Sequence, residues 1–207
     1  MTDFATPRLT PLPVEKWDER ARTMLRGHVK AADRYLSSEP DTPPMPNILG
    51  LLAHHTELAA AWLAYNGLLL ENPSIDPLDR ELVILRVAWR SGSDYEWAQH
   101  VRIAGSLGLG ETEIECVRLG PDAPSWSSLQ RSLLTAVDQL LDRNRVDDIT
   151  WAELANHFDE RQLIELLFVI GSYLCLAMVF NSVDLKPDLE PDRTTSAPRQ
   201  LETEKQP

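Results

Sequence analysis

The stretch Asp76–Leu109, DPLDRELVILRVAWRSGSDYEWAQHVRIAGSLGL, decides the fold. Asp76 has an N-cap side chain, Pro77 suits a first helical position that needs no N–H, and Asp79 puts negative charge in the first turn. The apolar residues that come next recur at helical spacing. Gly92 ends the run, since glycine takes the left-handed backbone of a helix stop without strain. Ser93 and Glu96 have the spacing of a capping box that opens a second helix, closed after Leu107 by Gly108 and Gly110.

Outward from this pair, apolar residues keep the helical period almost everywhere and no segment alternates as a strand would. The chain is therefore predicted to be all-α. One helix is expected over Val14–Ser37, on the face Trp17, Ala21, Met24, Leu25, His28, Ala32, Tyr35 and Leu36. Four prolines in Ser38–Pro46 break it. A second helical region spans Asn47–Glu71, interrupted near Thr56, which can cap the segment after it. Further helices are expected at Glu111–Leu119 and Trp126–Arg143. Thr150 with Glu153, and Asp159 with Gln162, read as capping boxes for helices at Trp151–His157 and Glu160–Asp184. Residues 14–185 form one domain in this reading, preceded by a flexible arm, 1–13, and followed by a disordered, Pro- and charge-rich tail, 186–207.

A chain of 207 residues with 43% hydrophobic residues can bury a sizeable core. Thirty-two acidic against twenty basic residues give a net charge of −12, which repels phosphate backbones and anionic lipid, so neither nucleic acid nor a membrane surface is an expected partner. A small anionic substrate stays compatible, because a few arginines around a site can reverse the local field. The fifteen apolar residues Leu166–Phe180, interrupted by Gly171, Ser172 and Tyr173, are short for a membrane span of about twenty. Cys116 and Cys175 show neither a pairing nor a metal pattern. With no apolar run in the first thirteen residues, the expected location is cytoplasmic.

Glu96 and His100 lie one helical turn apart on one face, which Ser93 shares. An antiparallel return across Gly92 brings Glu81 toward His100. A carboxylate beside an imidazole fixes its tautomer and tunes it for proton transfer near neutral pH. Against this stand plainer roles. Glu96 can simply close its capping box, Glu81 can answer the helix dipole, and His100 can be a core histidine. Glu-x-x-x-His supplies two metal ligands, but no spacing specifies a third from His54, His55 or His157, so no metal is expected.

The run from Pro77 to Leu109, and more loosely Pro46 to Leu185, resembles the carboxymuconolactone decarboxylase and alkyl hydroperoxidase D superfamily. In the hydroperoxidase branch a glutamate precedes a C-x-x-C pair by twelve residues, and a histidine lies four after the second cysteine. That pattern falls on Glu81, Ser93, Glu96 and His100, so the resemblance keeps the acid and the base and loses both thiols. A disulfide relay needs two sulfurs in reach, and peroxidase activity of that type should be absent.

The decarboxylase branch is the better likeness. It implies a multi-helix bundle, a homo-oligomer, trimeric or hexameric, and cofactor-free lyase or isomerase chemistry on a small anionic acid or lactone. In that reading His100 donates the proton, Glu96 and Glu81 orient or relay it, and Ser93, Arg80, Arg86, Arg90 and Arg102 bind substrate. Two alternatives stay open: a non-catalytic binding or assembly protein on the same scaffold, and a peroxidase using other thiols.

Overall fold

The computed structural model describes residues 6–37, 39 and 41–188, and among them ten α-helices, one 3-10 turn and no strand. The helices are α1 Glu19–His28, α2 Asp33–Leu36, α3 Asn47–Leu52, α4 Thr56–Glu71, α5 Pro77–Ser91, α6 Asp94–Ser106, α7 Glu111–Leu119, α8 Ser128–Arg143, α9 Asp148–Ala155 and α10 Glu160–Val183.

Helix α5 is the axis of the fold. Every residue from Arg80 to Ala88 is buried, and α6, α7, α8 and α10 pack around it. Leu82, Val83, Ile84, Leu85 and Val87 are all fully enclosed. Each such aliphatic contributes about 1.5–3 kcal/mol as an upper estimate. Asp76 accepts the N–H groups of Leu78 and Asp79 at the start of α5. At its end Gly92 takes φ 63° and the Ser93 N–H closes back on Ala88 O at 2.9 Å, which turns the chain directly into α6.

Three contacts fix the level at which α4, α5 and α10 meet. Arg80 Nη1 reaches Leu69 O, and the Tyr65 hydroxyl donates to Phe168 O. Glu165 of α10 accepts the N–H of Ser74, the N–H of Ile75 and the Ser74 hydroxyl, tying down the 72–76 connection.

The expected helix over Val14–Ser37 is broken in the structure. Val14–Lys16 form a 3-10 turn, and Asp18 starts α1 afresh by accepting the Ala21 N–H. Short polar side chains favour such starts over helix interiors. The helix stops at Val29, and Ala31 takes φ 57°. His55, not Thr56, caps α4 by accepting the Leu58 N–H on Nδ1. Asp147 accepts the Thr150 N–H, so α9 begins three residues before the expected Trp151 and the Thr150–Glu153 box does not form. The Asp159–Gln162 box is present, and Ser127 forms another with Gln130.

The described residues of the expected arm and tail bond to the helices. Arg8 N–H donates to Val183 O and Leu12 N–H to Gly50 O. A Cβ on Gly50 would stand 2.9 Å from Pro11 Cβ, so this approach requires glycine. At the other end Asn47 donates its side chain to Lys186 O, and Asp188 accepts from the Asn47 N–H, the Tyr95 hydroxyl and Gln99 Nε2. Residues 1–5 and 189–207 lie outside the described residues.

Helix α10, at 24 residues, is long and apolar enough to cross a membrane, although half of its most apolar window is buried inside the molecule. Ile164, Phe168, Met178 and Val179 form an exposed stripe on its outer side.

Candidate functional site

At the second turn of α5, Glu81 is almost wholly enclosed, at 1% exposure, and its Oε2 lies 2.6 Å from Nδ1 of His100 on α6. The antiparallel return across Gly92 thus makes the contact that the spacing suggested. With Glu81 as the carboxylate acceptor, the ring proton sits on Nδ1 and Nε2 is the end left for other partners. Tyr173 of α10 closes one side of the ring, edge-on at a centroid distance of 5.0 Å. Burial, with Glu81 next, pushes the Tyr173 phenol well above its ordinary range, so it stays neutral.

Glu96 is the unexpected member. It is 2% exposed, and neither carboxyl oxygen has a hydrogen-bond partner. Ser93 does sit at the N-cap of α6, but its hydroxyl bonds nothing, so the capping box does not form. Burial pushes the Glu96 carboxyl from the ordinary 4.5 up to about 8, opposed by the nearby Ser93 hydroxyl, which falls short of hydrogen-bond geometry. Arg80 and Glu96 also act on the Tyr173 phenol, so it lies within reach of both as well as of Glu81.

The four arginines part company. Arg80 is 9% exposed and lies beside the dyad, 3.5 Å from Glu81 Oε1. Arg86 points the other way. It grips Asp138 of α8 through Nε and Nη2, both at 2.8 Å, and fills Nη1 with the carbonyls of Val117 and Arg118. Arg90 joins the same network through Asp138 and Asp142, and Arg102 is exposed and donates to Gln99. Only Arg80 is therefore positioned toward the cluster; the others answer carboxylates and carbonyls of their own.

Three buried polar residues near this level had no assigned place in the motif: Asn66 on α4, and Ser172 and Tyr173 on α10. The polar break Gly171–Ser172–Tyr173 inside an apolar run is the one signal of them in the sequence. The cluster is close to dry, with His100 its most open member beside Arg80, both at 9%. Concavities of about 460 Å³ by His54 and His55, and about 480 Å³ by Gly27 and Gly67, open elsewhere on the surface. Neither cysteine belongs here: Cys116 is buried on α7 and Cys175 exposed on α10.

Residues 56–139 match the model of the Carboxymuconolactone decarboxylase family. The chain is 26% identical over 100 residues to the uncharacterized protein YdfG of Bacillus subtilis (strain 168), an alignment that covers 47% of this chain and 68% of that protein. Among solved structures it is similar to an uncharacterized peroxidase-related protein with an alkylhydroperoxidase AhpD core from Ralstonia eutropha JMP134. That match has a TM-score of 0.70 and 16% identity, and covers 88% of this chain and 92% of the other. It is also similar to a cysteine-to-alanine variant of the debrominase Bmp8 in complex with 2,3,4-tribromopyrrole. There the TM-score is 0.69 and the identity 14%, over 89% and 93% of the two chains. At such identities these two structures bear on the fold alone.

Proposed function

We propose that this chain, whose residues 56–139 match the Carboxymuconolactone decarboxylase family model and whose fold is similar to that of an AhpD core, is a cofactor-free lyase or isomerase that performs acid–base chemistry on a small anionic organic acid or lactone. The observation that carries this reading is Glu96: a carboxyl group enclosed, without partners, and held protonated near neutral pH beside a bonded Glu81–His100 pair. Two acids in one cluster with divergent environments are the usual preparation for splitting donor and acceptor roles.

For a decarboxylation, the carbon–carboxylate bond of the substrate breaks, carbon dioxide leaves, and the electron pair enters a dienolate. Glu96 gives its proton to the carbon of that dienolate. His100, oriented by Glu81, accepts a solvent proton at Nε2 and passes it to the Glu96 carboxylate, so the proton consumed in the reaction comes from solvent and both groups return to their starting states. What favours Glu96 over His100 as donor is that burial keeps it neutral, whereas His100 is already engaged at Nδ1. A nearly water-free site favours loss of carboxylate charge.

The exposed apolar stripe on α10 supports a homo-oligomer, and the reading carries a cytoplasmic location with it. The test is turnover of a panel of unsaturated lactone acids, monitored by carbon dioxide release. Glu96→Gln should lower kcat about 10²-fold or more. Equal turnover by that variant and the parent protein would overturn the proposal.

A further inference from the structure

Helix α5 holds two buried arginines with opposite fates. Arg86 makes four hydrogen bonds, all between 2.8 and 3.0 Å, and engages each of its three nitrogens. Arg80 is as buried, yet its Nε has no partner and its only contacts, to Glu81 Oε1 and Leu69 O, are both 3.5 Å long. A guanidinium enclosed with so little return is costly. Two more enclosed atoms without a hydrogen bond lie on the helices packed nearby: Asn66 Oδ1, one turn before Leu69 on α4, and Ser172 Oγ on α10, beside the Tyr65 phenol. The bonds from Arg80 to Leu69 and from Tyr65 to Phe168 bring the three helices together at this height.

From this we infer that Arg80, Asn66 and Ser172 form the substrate-binding subsite, and that it takes a carboxylate bearing a hydroxyl or enol group next to it. Arg80 Nε offers a charged donor to the carboxylate; Asn66 Oδ1 needs a donor, which a hydroxyl supplies; Ser172 Oγ can serve either group. Charge agrees with the choice. The Arg80 guanidinium supplies the positive charge that a carboxylate needs, and its single long contact to Glu81 leaves donors free for it. The inference deepens the acid–base reading by naming the substrate class, and rests on it only for the chemistry after binding.

Lactate, propionate and lactamide test it without turnover, by NMR titration of the His100 ring and the Asn66 side-chain amide. Lactate should bind best, propionate several-fold more weakly for want of the hydroxyl, and lactamide at least about tenfold more weakly for want of the charge, a loss of about 1.4 kcal/mol. Arg80→Gln should abolish the preference for lactate over lactamide, and Arg80→Lys restore part of it. Asn66→Leu should erase the lactate–propionate difference while propionate still binds. Absence of any response at His100 and Asn66, or equal response to all three probes, overturns the inference; so does an unchanged preference in Arg80→Gln. Should that variant not fold, the wild-type series and Asn66→Leu decide alone. Glu96→Gln separates the two proposals: full turnover in it with Arg80-dependent lactate binding sinks only the acid–base reading, and lost turnover with indifferent binding sinks only this one.

Discussion

Glu81 and His100 are nineteen positions apart in sequence and 2.6 Å apart at Oε2 and Nδ1, a bond that joins α5 to α6 inside the molecule. Replacing the acceptor by an amide keeps the volume but removes the charge that holds the imidazole in one tautomer. Glu81→Gln is expected to reduce kcat/KM on an accepted substrate about 10²-fold, with the helical circular dichroism unchanged. Steady-state kinetics on a folded variant checks this, and an undiminished rate would detach the pair from catalysis.

Glu96 gives the protein a pH dependence of defined sign. Its folded value of about 8 lies above the ordinary 4.5, so the native state holds a proton that the unfolded chain has released. The associated stability is complete below pH 4.5 and is lost as pH rises toward 8, after which the loss is constant. Urea unfolding across this interval should show the decline, and Glu96→Gln should flatten it by about 2 kcal/mol or more. A stability curve of the same slope in both proteins refutes the assignment.

The Arg86–Asp138 pair is a brace and not part of the site. Asp138→Asn leaves the buried Arg86 guanidinium without a carboxylate and should cost about 3–5 kcal/mol, whereas Arg86→Leu leaves Asp138 paired with Arg90 and should cost less. Simultaneous replacement by apolar residues of matching volume should restore much of that, as a double-mutant cycle in denaturant would reveal. The activity of any folded double variant should remain near that of the parent.

Two positive-φ glycines separate strain from crowding. Gly92, at φ 63°, has nothing within 4 Å of an added Cβ, so Gly92→Ala should cost about 1 kcal/mol for the left-handed backbone alone. At Gly120, φ 97°, the same methyl group would lie 2.7 Å from Arg86 Nη2. Gly120→Ala should therefore cost about 2–4 kcal/mol, since it adds a disturbed ion pair to the backbone term. Thermal unfolding of both variants measures the difference, which vanishes if the brace can shift at no cost.

Much of the helical plan could be read from local signals. Asp76, Pro77 and Gly92 act within a few residues of themselves, and their helix begins and ends where they indicate. The Glu81–His100 contact was legible because one tight turn fixes how two helices return on each other. Ser93 and Glu96 mislead for the opposite reason. Their spacing suits a capping box, but tertiary packing encloses Glu96 and no hydrogen bond closes it. The arginines show the same limit, for Asp138 lies fifty-two residues from Arg86 and no local pattern announces it. Asn66 was silent because it is a single polar residue in an otherwise apolar stretch, and Ser172 showed only as part of a break in one, since the meaning of either depends on which neighbour it meets.

The carboxylate of Glu165 gathers the connection ahead of α5 against α10, and α5 carries Arg80 and Glu81 a few residues downstream. A deep mutational scan scored by turnover alone would rank position 165 among the chemical residues, although its carboxylate is spent on Ser74 and Ile75. Sorting hits by whether loss of rate travels with loss of soluble yield would set this anchor apart from the groups proposed to handle protons.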